Sequence, residues 1–209
     1  TLHQGALGAL FTYAPGKVHP LWYSAPFQWF HFFVSSVFAG LSMLIVVSTI
    51  CKKTMAWRCD RNFLDNLDKL TLGLAKGATL ALITYVVIKI IAIAHDGDWG
   101  YLASGWGQWY LLEMGAGVIL PMILFTVSIR NNLPGLARFA AFIAVLGIAL
   151  NRLNTALFTF NWKMYQEIPH WREVMICITV YSLYIVTYRF VLYRLPILYT
   201  WKKDEEAAS

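Results

Sequence analysis

"ALNRLNTALFTF" (residues 149–160) sets Arg152 between Asn151 and Asn154 in a run that otherwise reads as continuous apolar helix. A guanidinium is tolerated in such a run where protein or a wet cavity surrounds it, because ionisable groups within membrane spans face a bundle interior and take polar partners there. The stretch therefore predicts apolar helices packed side by side in a membrane. Of the 209 residues, 58% are hydrophobic, 16% aromatic and 13% charged, more apolar surface than a soluble domain of that length could bury. A hydrocarbon core of about 30 Å takes roughly 20 apolar residues per helical span. Five windows qualify: 27–50, 71–95, 107–129, 137–160 and 173–195. The expected class is an all-α integral membrane protein whose five transmembrane helices form a bundle. Three parts follow along the chain: an outer interfacial segment (1–26), the bundle (27–195) and a cytoplasmic tail (196–209).

Basic residues set the expected orientation, since Lys and Arg accumulate on the cytoplasmic side. Lys52, Lys53, Arg58, Arg61 and Lys69 fall between the first two windows, and Arg130 and Arg138 flank the turn "RNNLPGLAR". Arg189, Arg194, Lys202 and Lys203 close the chain. The opposite side holds only Lys17, Lys163 and Arg172. The N-terminus is accordingly expected outside and the C-terminus in the cytoplasm, as in a multi-pass protein of the bacterial inner membrane. The net charge of +6 is mostly this bias and gives no reason to invoke nucleic acid.

Cys51, Cys59 and Cys177 form no CxxC or CxxCH arrangement and read as small apolar residues. "TLHQGALGALF" resembles the outer end of a helix whose body lies elsewhere, as in a processed, split or half-length chain. The segment after it, with Pro15, Pro20, Pro26, Trp22, Tyr23 and Trp29, fits headgroup level. "NFLDNLDKLTLGLA" places Phe63, Leu64, Leu67, Leu70 and Leu74 near helical spacing, an amphipathic lead along the inner surface into the second span.

Counting inwards at 1.5 Å per residue puts His31, Lys89, Glu113 and Arg152 roughly 6–12 Å below the outer surface, in one layer fed by four helices. Glu113 is the expected counter-ion of Arg152 or Lys89, with His31 as titratable neighbour and Asn151 and Asn154 as neutral hydrogen-bonding groups. Blander readings compete: Lys89 snorkels, His31 is interfacial, and a Glu–Arg pair merely fixes packing. Bis-histidine haem is not expected, because His3, His19, His95 and His170 read as loop or boundary residues and leave His31 alone within a span. No metal site is expected.

"LLEMGAGVILPMILFTVSIR" orders Glu113, Gly117, Pro121 and Arg130 as E-x3-G-x3-P-x8-R. With "LNRLNTALF", "IPHWREVMICITVYSLYIVTYRFVLYRLPIL" and "LHQGALGALF…PGKVHPLWYSAPFQWF", this resembles the second half of the NrfD-like family, also called polysulfide-reductase membrane subunits or hydrogenase-2 b-type subunits. The resemblance implies a cofactor-free membrane subunit of a respiratory complex. Such a subunit exchanges electrons between menaquinone or menaquinol and an extracytoplasmic four-cluster iron–sulfur protein, linked onward to a multihaem cytochrome c or another redox subunit. It implies further membrane subunits and a quinone pocket lying mainly in the other half, with His3 and Gln4 as the contacts offered by this half. It associates Glu113, Arg152 and Asn154 with structural support and proton movement. Quinol oxidation releases protons with electrons, so Glu113 and His31 are the expected proton carriers, while Arg152 and Lys89 set their charge state.

Two other functions are weighed. As a non-catalytic anchor, the chain would dock redox partners on the loop bearing Asp96, Asp98, Trp99, Tyr101, Trp106, Trp109 and Tyr110, although interfacial anchoring explains the same aromatics. A secondary transporter would want helices broken near the midplane, and Pro121 is the one proline well inside a span.

Overall fold

A computed structural model describes residues 2–13, 15–54, 56, 61–159, 162–163 and 171–194. Arg58, Cys59, His170, Lys202, Lys203 and the tail 196–209 lie outside the described residues. The chain forms two compact units, Thr1–Met164 and Tyr165–Ser209.

In the first unit α1 (Leu2–Phe11) leads through a 3-10 turn, Pro20–Trp22, to α2 (Gln28–Thr54) and α3 (Arg61–Asp96). A second 3-10 segment, Asp98–Ala103, precedes α4 (Gly105–Met114), which a π turn (Gly115–Ile119) joins to α5 (Leu120–Arg130). The last helix of the unit, α6 (Pro134–Leu153), continues into a π turn at Asn154–Phe158. In the second unit α7 (Trp171–Arg194) is exposed along its apolar stretch. Five segments are long and apolar enough to cross a membrane: Gln28–Thr54, Arg61–Asp96, Gly105–Arg130, Pro134–Ala156 and Val174–Val191. The five windows are thus found as helices, in a multi-pass membrane protein.

Two expectations change. The stretch 61–74, expected as an amphipathic lead into the second span, is continuous with it as the first turns of α3, whose 36 residues span about 54 Å, well beyond a hydrocarbon core. Of its apolar positions Leu67 continues the buried face of the span through Thr71 and Ala75, while Phe63 and Leu70 are exposed. The third span is a bulged helix: the Leu120 N–H reaches back five residues to the Gly115 carbonyl. This widening lies just before Pro121, which has no N–H to give and whose ring crowds the carbonyl four residues back.

Within the first unit α2 packs on α3 and α6, α3 on α5 and α6, and α5 on α6, while α1 lies against α2. Lipid tails are as apolar as the side chains, so close contact rather than hydrophobic expulsion holds such helices together. Ala137, Ala140, Ala141 and Ala144 accordingly form the buried face of α6. Where the third span crosses α6, a Cβ on Gly117 would lie 2.9 Å from the Gly147 Cα. A Cβ on Gly8 would lie 2.7 Å from the Trp29 Cα, which fixes α1 on α2. Leu80, Ile90, Leu111, Phe139 and Leu146 point outward, as a lipid-facing surface requires. The turn before α6 uses Asn132 at φ 53° and a Ser128 hydroxyl donating to the Leu133 carbonyl at 2.6 Å, and Pro134 then opens the helix.

Candidate functional site

Glu113 sits in the last turn of α4, 2% exposed, and three N–H donors meet its carboxylate. Trp22 Nε1 donates to Oε2 at 2.7 Å, Asn154 Nδ2 donates to the same oxygen, and Asn151 Nδ2 donates to Oε1 at 2.5 Å. A carboxylate, which only accepts, matches this set of donors. Asn154 is held in turn, its Oδ1 accepting Trp109 Nε1 at 3.2 Å. The π turn matters here: its carbonyl accepts both the N–H and the hydroxyl of Thr159 at 2.9 Å, and the Thr159 carbonyl accepts the His19 N–H at 3.1 Å. The loop before α2 and the end of α6 are therefore tied together around Glu113.

Arg152 does not pair with Glu113, contrary to the sequence expectation. Asn151 and Asn154 are three residues apart and share the face of α6 that looks at α4, whereas Arg152 is turned about 100° from Asn151. It faces α2 instead, where its guanidinium donates to Ser35 Oγ at 2.5 Å and to the Phe32 carbonyl at 3.5 Å, 3.8 Å above the Phe32 ring. Ion pairs do form elsewhere: His95 with Asp96 at 2.9 Å, and Arg138 of α6 with Asp68 of α3.

Lys89 does not snorkel: it is 4% exposed, with Nζ 5.9 Å from the ring centres of both Tyr85 and Tyr110. Among the described residues it forms no ion pair with Glu113. His31 is equally buried, its ring 6.0 Å from that of Tyr85, and neither ring nitrogen has a hydrogen-bond partner. The Tyr110 hydroxyl and Ser24 Oγ are also buried without partners. His31 and Lys89 share a small crevice with Ser24, Asp96 and Asp98. The four layer residues are thus neighbours, but through rings and space rather than as ion pairs. His3 is exposed and Gln4 half-buried on α1, and neither joins this network.

Sequence reading missed His19, Trp22 and Trp109 as site residues. His19 is 1% exposed, walled by Trp22, Tyr101, Trp106 and Trp162, and its Nδ1 accepts the Leu21 N–H at 3.3 Å. Burial lowers its pKa to about 4. Trp22 and Trp109 read as interfacial anchors because hydropathy sees their rings and not the N–H each carries; a carboxylate and an amide in facing spans were the available signal.

Two cavities beside this layer differ in size and lining. The crevice at His31 and Lys89 encloses about 10 Å³, against roughly 300–1,000 Å³ for a small-molecule site. A hollow of about 530 Å³ between Gly105, Trp106, Trp109 and Phe158 is large enough but apolar, and the Trp109 N–H is already given to Asn154. Among the described residues no cluster of three His, Cys, Asp or Glu side chains is placed to hold a metal ion.

The chain is 43% identical over 202 residues to a Nitratidesulfovibrio vulgaris (Hildenborough) protein, covering 95% of this chain and 52% of that one. It is 25% identical to the "Probable Ni/Fe-hydrogenase 2 b-type cytochrome subunit" of Escherichia coli K12, over 98% of this chain and 52% of that protein. A third relative, the "Menaquinone reductase, integral membrane subunit" of N. vulgaris, is 26% identical over 83% of this chain and 45% of its own length. The chain spans about half the length of the curated relatives it matches. No family model matches it, and neither does any solved structure.

Proposed function

We propose that the chain is the membrane subunit of a quinone-linked respiratory complex of the bacterial inner membrane, its N-terminal end outside and its C-terminus in the cytoplasm. The complex exchanges electrons between menaquinone or menaquinol and an extracytoplasmic iron–sulfur and cytochrome c partner. Two relatives' names, hydrogenase-2 b-type subunit and menaquinone reductase integral membrane subunit, support the redox setting. The quinone pocket lies mainly in the half of the family's fold that this chain does not match, with His3 and Gln4 as this chain's contacts.

The observation that carries a role for this half is the buried layer of Glu113, Lys89 and His31, whose charges are costly to keep in a membrane protein without use. In it Glu113 and His31 carry protons, and Lys89 and Arg152 set the local charge. The test is menaquinol-dependent reduction of the native partner by the purified complex across pH. Glu113→Gln is expected to cut turnover by at least about tenfold in an assembled complex.

A second reading, an anchor that docks the redox partners, is favoured by the saturation of Glu113 with three donors, a set that equally serves to fix helices. Unchanged turnover and pH profile in Glu113→Gln would establish that reading instead.

A further inference from the structure

One face of α3 presents Lys89, Ala92, Ile93 and Asp96, spaced three, four and seven residues along the helix, to a narrow crevice. Its opposite walls are the Pro20–Ser24 segment and His31 of α2, and Asp98 lies at the loop end. Lys89 and Asp96 are about 10 Å apart along the helix, so the crevice runs from the buried layer to the α3–α4 loop. Its volume, about 10 Å³, is near the least that holds one water. Its lining includes His31 and Ser24, each residue 4% exposed and carrying side-chain polar atoms without a hydrogen-bond partner. Buried polar groups in folded proteins almost always find a partner, and a water here supplies donors and acceptors at once. A dry crevice would have been apolar; this one is polar at both ends.

We propose that the crevice is a hydrated proton port, in which water held by His31 and Ser24 links the Lys89 layer to the Asp96 and Asp98 carboxylates. It rests on the proton-handling reading above and adds to it the route and its mouth. A proton leaves the Lys89 ammonium for the water as the water passes one of its own protons to a carboxylate, which releases it to the outer solvent. No electron moves in this step, and Lys89 is reprotonated by a proton released in menaquinol oxidation. The ionisable groups on the crevice walls are Tyr23, His31, Lys89, Asp96 and Asp98; Tyr85 and Tyr110 pack on Lys89, with Glu113 and Arg152 beyond them in the layer, and His95 pairs with Asp96. Asp98 suits the role of acceptor, since burial and the neighbouring Asp96 raise its pKa.

The first measurement is radiolytic hydroxyl labelling of the whole complex in lipid nanodiscs in ¹⁸O water, which reports bound water independently of activity. His31 and Leu21 should label about tenfold faster than Phe38 and Phe125, which are equally buried in the apolar core. Ser24→Leu, which fills the crevice, should bring His31 down to the level of Phe38. In the same complex Asp98→Asn should slow proton release during menaquinol oxidation about threefold to tenfold. His31 labelling no faster than Phe38 in an active complex overturns the port and leaves the quinone-linked reading standing. Hydration together with unslowed proton release in both Asp98→Asn and Ser24→Leu also overturns it. A complex with no menaquinol activity removes that reading and the port's role together.

Discussion

Two polar regions lie side by side in the same bundle layer, and they are built in opposite ways. Around Glu113 three N–H donors address two oxygens, and the donors are themselves held by Trp109 and the Thr159 turn. Around His31, a crevice wide enough for about one water separates ring nitrogens and a hydroxyl that have no protein partner. A closed network resists rearrangement, because each broken bond leaves a desolvated group behind. An open one exchanges partners readily. The contrast sets a closed element, which ties α4 to α6, beside an open one, whose polar groups are free to exchange partners.

The largest expected effect breaks the closed side. Asn154→Leu removes one donor from Glu113 and strands the Trp109 N–H, which should cost about 2–4 kcal/mol. A thermal melt of the purified protein should show it, and Asn154→Asp should be worse because it sets two carboxylates face to face. A melt within experimental error of wild type would mean that the Glu113 network holds nothing.

The next effect tests how the loop is tied to that network, through His19. Its folded pKa, about 4, lies below the ordinary 6.5, so the neutral ring contributes stability that is complete above pH 6.5 and is lost as pH falls towards 4. The melting temperature should drop over that window, and His19→Phe should flatten the drop. A variant with an unchanged slope would place the pH dependence in other groups.

The smallest effect concerns the open side. With water bridging it, His31→Phe should cost about 1 kcal/mol, the net worth of ordinary hydrogen bonds. Were the crevice dry, the same change would stabilise the protein, because it deletes two orphaned nitrogens. The sign, more than the size, discriminates.

Much of the fold was legible from composition and run length. Four of the five spans are found within about four residues of the windows, because about 30 Å of hydrocarbon leaves the chain little choice of helix length, while the second begins ten residues earlier, at Arg61. The polar layer was legible too, since depth follows from counting rise along a helix. Partner choice was not. Glu113, Lys89 and Arg152 all sit at similar depth, and charge alone pairs Glu113 with a cation. The structure gives it amides and an indole instead, because rotation about the helix axis turns Arg152 towards α2 while Asn151 and Asn154 look at α4. The π turns at Gly115–Ile119 and Asn154–Phe158 adjust that rotation further, and no periodicity count of the linear chain contains them.

By itself, then, the sequence determined the solvent of this protein, its five apolar helices and the depth at which its buried charges lie, because each of these is set by residue type and number along one axis. The tertiary structure alone decided which of those groups touch. It buried Lys89 and His19, recruited Trp22 and Trp109 as donors, and left His31 facing a water-sized space. Azimuth about each helix and the crossing of glycines such as Gly117 and Gly147 fix those contacts, and both arise only when the helices meet.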